Sequence, residues 1–246
     1  MRVIRLRTEI FGVQFDNYTI QEAVDKAIES LDSGKPFVIA TPNPEIVEAA
    51  RKDSEYKDIL NSSDIVTPDG IGIVYASKLL KGNIKERAAG FDIVCGIIEK
   101  LDKRAGSVFL FGSKPQVAET AANNLKNKYK NLVIAGCRNG YFTDDTEIVE
   151  AIQNANPDLL LVCLGAPKQE KWINKNKDIL NAKILVGAGG TLDVIAGNVK
   201  RAPDIFIKLG LEWFYRLVKE PKRIGRMIKL PLFLVDVVLK KGKDKE

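Results

Sequence analysis

Short aliphatic runs alternating with stretches of helical period organise most of this chain. Between residues 3 and 18 apolar and polar positions alternate at the period of a strand, with Asp16-Asn17 near the exit, so a small β-hairpin is predicted there. From Thr19 the period changes, and Ile20, Ala23, Val24, Ala27, Ile28 and Leu31 recur at three- and four-residue steps. Thr19 stands at the N-cap, Glu22 completes a capping box and Gly34 lies just past the end, which together predict a helix. Six aliphatic runs follow, at 37–41, 64–67, 107–112, 132–136, 158–165 and 183–189, separated by helical patterns. A helix is also expected after Asp144-Asp145, with Thr143 as its cap. Strands alternating with helices pair in parallel, so the expected fold is α/β: a Rossmann-like, doubly wound, mainly parallel sheet preceded by the hairpin.

Beyond Arg201-Ala202-Pro203 the pattern becomes helices punctuated by Pro221 and Pro231, each compatible with a first helical turn. Residues 1–200 therefore read as the α/β domain and 201–246 as a helical C-terminal appendage. Ile224, Met227, Ile228, Pro231, Leu232 and Val235 keep an apolar stripe, while Lys222, Arg223, Arg226 and Lys229 fall largely off it. Residues 200–246 carry 13 Lys/Arg against 6 Asp/Glu, whereas residues 1–199 carry 25 against 26. Two readings follow: the stripe packs on its own protein, or it lies on an anionic membrane, where each basic residue contributes about 1 kcal/mol. Trp213, Phe214 and Tyr215 are interfacial anchors or a seam against the body. The apolar run 230–239 falls well short of the roughly 20 residues a spanning helix needs. The N-terminus alternates Arg with aliphatic residues instead of forming a signal peptide, so the expected location is cytoplasmic, peripheral on the inner face of the membrane.

At 246 residues and 45% hydrophobic content, the chain can bury one substantial core with an appendage. It contains no histidine, which excludes Ser-His-Asp and Cys-His pairs, H-E-x-x-H zinc sites and a histidine base. Acid-base work then falls to carboxylates, Lys, Tyr or Cys. Cys95, Cys137 and Cys163 are scattered in apolar stretches and read as buried thiols in a reducing compartment.

Ligands of open parallel sheets sit beyond the carboxyl ends of the strands, and the unusual loops fall there. Asp69, between Pro68 and Gly70, is either a turn aspartate or a general base for a hydroxyl nucleophile. Asn43, between two prolines, and Gln169-Glu170 are expected to open onto the same rim. The stretch from Gly187 through Gly189 and Gly190 to Asp193 runs from strand to glycine loop to helix: either a backbone cradle for phosphate or a tight packing turn. It matches neither G-x-G-x-x-G nor a P-loop, which leaves an NAD-dependent dehydrogenase with little support. No D-x-D pair occurs to carry a metal, so Arg87, Arg216, Arg223 and Arg226 are the candidates to face a leaving diphosphate, unless the tail arginines only meet solvent or lipid headgroups.

These motifs, in order, resemble the TagA/WecG/CpsF family of bacterial glycosyltransferases: Thr41-Pro42-Asn43-Pro44-Glu45, Pro68-Asp69-Gly70-Ile71-Gly72, Glu86-Arg87-Ala88-Ala89-Gly90, Gly165 to Trp172, Gly187 to Gly197, Arg201-Ala202-Pro203, and Leu211 to Arg226. The resemblance implies inverting, metal-independent transfer of a sugar from a UDP-sugar donor to a polyprenyl-diphosphate-linked sugar, with no cofactor, on the anionic cytoplasmic membrane surface. For the TagA branch it implies UDP-N-acetylmannosamine as donor and undecaprenyl-diphosphate N-acetylglucosamine as acceptor, in wall teichoic acid linkage-unit synthesis. Asp69 would then be the base, Asn43 and Thr41 would line the sugar pocket, and Arg87 and Gln169 would also belong to it. Arg216, Arg223 and Arg226 would close over the diphosphate. Thr191-Leu192 departs from the expected small residue and Phe, which bears on donor preference.

The alternatives are a sister specificity, using UDP-N-acetylmannosaminuronic acid or another UDP-hexose, and a non-catalytic nucleotide module that binds a membrane or nucleic acid. Of these surfaces the favoured partner is the membrane, not nucleic acid. A homo-oligomer that hides the tail's stripe in solution is a further expectation.

Overall fold

The structure, a computed structural model, describes residues 7–219 and 229–243, apart from the side chains of Asp204, Lys208, Arg216 and residues 240–243. Strands β1 (Arg7–Ile10) and β2 (Val13–Asp16) form the expected antiparallel hairpin. Phe11 and Gly12 close it with φ of 52° and 84°, as a two-residue turn matched to strand twist requires. Residues 3–6 of the predicted hairpin lie outside the described residues. In helix α1 (Ile20–Glu29) the capping box is present: Thr19 Oγ1 accepts from Glu22 N–H and the Glu22 carboxylate accepts from Thr19 N–H.

All six aliphatic runs form strands: β3 (Phe37–Ala40), β4 (Ile65–Val66), β5 (Ser107–Gly112), β6 (Val133–Arg138), β7 (Leu159–Cys163) and β8 (Ile184–Gly187). They make one parallel sheet in the order β4-β3-β8-β7-β5-β6. Between and after them lie α2 (Pro44–Lys52), α3 (Ser54–Asn61), α4 (Ile71–Leu79), α5 (Gly90–Asp102), α6 (Val117–Lys128), α7 (Thr146–Ala155), α8 (Lys168–Asn176) and α9 (Thr191–Ile195). Helices cover both faces, which is why the strands read as unbroken apolar runs. Leu159, Leu161 and Cys163 face the core built with α1, α5 and α6, while Leu160 and Val162 face Ile152 and Trp172 of α7 and α8. Burial pushes the Cys163 thiol up to about 12 and the Cys95 thiol up to about 11, so neither is a ready nucleophile. The helix after Asp144-Asp145 begins at Thr146, and Thr143 is not its cap. Asp144 instead accepts from the N–H and hydroxyl of Thr146, and Asp145 accepts from the Trp172 indole at 2.8 Å.

Past residue 201 come α10 (Asp204–Lys208), α11 (Glu212–Lys219) and α12 (Lys229–Lys243). Helix α12 folds back onto α2 and α4. Its contact face differs from the stripe read in the sequence: Phe233 and Val237 are buried beside Phe15, Val66 and Ile73, while Leu232 and Val235 are more than half exposed. Ile224, Met227, Ile228 and Pro221 lie outside the described residues. Because 230–239 is apolar nearly all round, periodicity could not choose which side meets the body. Arg51 straps the helix down, bonding Glu48 and Asp236 and lying 4.0 Å over the Phe11 ring. Tyr215 of α11 packs on Phe206 of α10.

The start of α4 is wedged against this segment. A Cβ on Gly72 would run into the Leu230 side chain and come within 2.8 Å of Pro44 Cγ. Gly72→Ala is therefore expected to cost about 1–3 kcal/mol of stability despite alanine's better helix propensity. Urea denaturation would measure this, and an unchanged midpoint would show that Leu230 and Pro44 yield easily.

Candidate active site

Parallel strands bring their carboxyl ends to a single edge, and two groups of candidate residues form there, beyond β3 and β4 and beyond β5, β7 and β8. In the first group, Asp69 follows the two-residue strand β4, and Gly70 at φ 90° turns the chain directly into α4. Asp69 N–H donates to Pro42 O and Ala88 N–H donates to Pro68 O, so three loops are tied together. The Asp69 carboxylate is 30% exposed and its Oδ1 lies 3.6 Å from Arg87 Nε. Arg87 also donates from Nη2 to Glu212 Oε2 at 2.7 Å. Among the described residues, Thr67 Oγ1 and Arg87 Nε are buried without a hydrogen-bond partner, and buried polar atoms of this kind are ones a polar ligand can satisfy.

Asn43 caps α2, its Oδ1 accepting from Ile46 N–H at 3.0 Å. Thr41 lies under the start of α5: a Cβ on Gly90 would be 2.7 Å from Thr41 Oγ1, so only glycine lets this helix begin against it. Arg201 anchors the neighbouring chain by a two-pronged pair with Asp92, both bonds 2.6 Å. Although burial works against its charge, Asp92 and, less strongly, Glu212 hold Arg201 above the usual arginine range.

In the second group, Gln169 and Glu170 turn inward and do not open onto the rim, being 3% and 7% exposed. Gln169 Oε1 accepts from the N–H groups of Gly165 and Gly189, each at 3.1 Å, and its Nε2 donates to Glu170. The carboxamide thus fixes the glycine loop from beneath. Gly187 must be small here, because a Cβ would lie 3.0 Å from Gln169 Nε2. Among the described residues, nothing lies within 4 Å of a Cβ added at Gly189, at φ 49°, or at Gly190, so there is space beside this turn although the Gly189 N–H is already bonded to Gln169. The Asp193 carboxylate accepts from Ser113 Oγ at 3.2 Å and joins the β5 and β8 loops.

Glu170 accepts from the Tyr56 hydroxyl and from Gln169, yet burial raises its carboxyl above the usual range, and the same burial raises the Tyr56 phenol. A carboxyl raised on folding favours the native state below its unfolded pKa, and that stability is lost as pH rises through the folded value. Glu170→Gln keeps the shape and can still meet both partners, so it is expected to be at least as stable as the wild type at pH 7.5 and to lose that advantage near pH 4. Urea midpoints at the two pH values would check this; a lower midpoint for the variant at pH 7.5 would contradict it.

The side chain of Arg216 and all of Arg223 and Arg226 lie outside the described residues. Sequence reasoning passed over Thr67 and Glu212. Thr67 sits in an aliphatic run with nothing to mark it, and Glu212 reads as an ordinary acid at a helix start. Among the described residues no group of three or more His, Cys, Asp or Glu is placed to hold a metal ion, and no helix is long and apolar enough to cross a membrane.

A carboxylate beside an arginine, with a glycine turn at the same edge of a parallel sheet, is an arrangement that can serve a group-transfer enzyme, the carboxylate able to take a proton and the arginine to face an anion. Residues 8–246 match the profile of the Glycosyl transferase WecG/TagA/CpsF family. Over 243 residues the chain is 42% identical to N-acetylglucosaminyldiphosphoundecaprenol N-acetyl-beta-D-mannosaminyltransferase of Bacillus subtilis (strain 168), covering 98% of this chain and 94% of the relative. Proteins of the same name from Bacillus spizizenii (38% over 208 residues, 85% of this chain and 81% of the relative) and Staphylococcus aureus strain MRSA252 (35% over 243 residues, 98% and 95%) are also similar. The chain belongs to the WecG/TagA/CpsF family of glycosyltransferases.

Proposed function

We propose that this enzyme transfers N-acetylmannosamine from UDP-N-acetylmannosamine to N-acetylglucosamine carried on undecaprenyl diphosphate, the step that builds a wall teichoic acid linkage unit. The similarity to three proteins named for that transfer, near full-length for two of them, carries the reading. A β-mannosaminyl product from an α-linked nucleotide sugar requires inversion, and a single displacement needs one base and a stabilised leaving group. Asp69 takes the proton from the acceptor hydroxyl as that oxygen attacks the anomeric carbon. Thr41 and Asn43 line the sugar pocket beside it. The bond to UDP breaks as the new glycosidic bond forms, and arginines, with the glycine turn at Gly190, meet the charge on the departing diphosphate without a metal ion.

Residues 1–200 form the catalytic domain in this reading, and 201–246 close over the site and rest on the inner, anionic face of the membrane. Ile205, Leu209, Phe214, Val218, Leu232 and Val238, all exposed, supply the apolar surface such docking needs. The test is release of UDP from UDP-N-acetylmannosamine by the purified protein, with a short-chain lipid-diphosphate N-acetylglucosamine acceptor and excess EDTA. Acceptor-dependent release is expected. Release only with another UDP-hexose would move the assignment to a sister specificity, and none with any donor would overturn the reading.

A further inference from the structure

Glu212 stands out because its charge is nearly buried, 10% exposed at the side chain, although it opens a helix whose other residues include the exposed Phe214 and Val218. An acid at a first helical turn is ordinarily solvated and contributes through the helix dipole. This one reaches 125 residues back in sequence to Arg87. A buried ion pair is a weak source of net stability, since desolvation offsets most of the attraction, so the contact calls for another account.

The geometry of Arg87 suggests one. Its Nη2 bonds Glu212 at 2.7 Å, while its Nε faces Asp69 Oδ1 at 3.6 Å, within ion-pair range but too long for a hydrogen bond. A guanidinium next to a single carboxylate ordinarily closes into a short, often two-pronged pair, and a sub-ångström slide would close this one. Glu212 pulls on the far side of the fork and holds the gap open.

We propose that Glu212 is a positioning residue for the transfer reaction: it holds the Arg87 guanidinium off Asp69, so that the carboxylate keeps the orientation needed to accept the acceptor's proton. The C-terminal segment then contributes to the chemistry through an anion on α11, in addition to any part it plays at the membrane. This rests on the transferase reading above.

The test is a double-mutant cycle with UDP release as readout and thermal melting as the folding control. Glu212→Ala is expected to lower kcat about 30-fold while KM for UDP-N-acetylmannosamine stays within about 3-fold, in line with the cost of misplacing a catalytic group by an ångström. Glu212→Gln, which keeps an acceptor but not the charge, should lose about 5-fold. Arg87→Ala should lose about 10²-fold, and the Arg87→Ala/Glu212→Ala pair should be no slower than Arg87→Ala alone, because Glu212 acts through Arg87. Losses that multiply in the pair, or Glu212→Ala with wild-type kcat, would overturn the proposal. If Glu212→Ala melts below the assay temperature, Glu212→Gln carries the same cycle. Absence of turnover by the wild type with every UDP-hexose would overturn the functional reading and this proposal together, whereas wild-type turnover with an unaffected Glu212 variant overturns this proposal alone.

Discussion

Asp69→Asn is expected to lower kcat about 10³-fold, the middle of the range for loss of a positioned general base, while leaving the affinity for UDP within about 2-fold. The amide matches the carboxylate in shape, and the loop is held by backbone bonds that the change does not touch, from Asp69 N–H to Pro42 O and from Ala88 N–H to Pro68 O. What disappears is the proton acceptor and the negative charge opposite Arg87. Arg87 remains paired with Glu212, so the variant should fold and bind nucleotide. Steady-state UDP release beside calorimetric titration with UDP separates the two effects. A kcat within 10-fold of wild type would show that the proton leaves by another route, and equal losses in binding and turnover would make Asp69 a binding residue.

The second large effect is structural. Gly112 ends β5 at φ 126°, and a Cβ there would collide with the carbonyl of Cys163 and lie 2.8 Å from its Cα. Those atoms belong to the neighbouring strand β7, whose Cys163 carbonyl accepts from Ser113 N–H at 2.9 Å, so neither chain can retreat without breaking the central pairing. Gly112→Ala adds strain of about 1–3 kcal/mol at a backbone conformation reserved for glycine to an overpacking cost of about 1–3 kcal/mol. Against a typical total stability of about 5–15 kcal/mol, the loss should appear as a fall in Tm of about 10 °C, at roughly 2–4 °C per kcal/mol for a chain of this size. A Tm within 2 °C of wild type would mean that the β5 and β7 ends adjust freely. The same change should reduce turnover by displacing Ser113, which holds Asp193.

Local chemistry made much of this molecule readable. The capping box at Thr19 and Glu22 forms among residues within one turn of each other, and the runs that become β4, β5, β7 and β8 are unbroken because burial on both faces leaves no polar position to interrupt them. The place of Asp69 at the carboxyl edge follows from the parallel pairing those runs imply. Which side of α12 meets the body stayed open for the complementary reason: with nearly every residue from 230 to 239 apolar, only the shape of the groove between α2 and α4 selects Phe233 and Val237 for burial. Gln169 and Glu170 were expected in the open, but their loop folds under the glycine turn, where Tyr56 of α3 and the backbone of Gly165 and Gly189 meet their polar atoms.

The layered α/β architecture, the family and the edge of the sheet where chemistry belongs are legible in the order of residues alone, because they depend on period, turn residues and short motifs that act within a few residues. Which charges face each other is settled by the folded chain in space. Asp69, Arg87 and Glu212 come from segments far apart in the chain, and Glu212 meets Arg87 only because the segment after Arg201 folds back over the start of α5. Electrostatic partnership depends on distance and burial in space, and spacing along the chain carries no record of either.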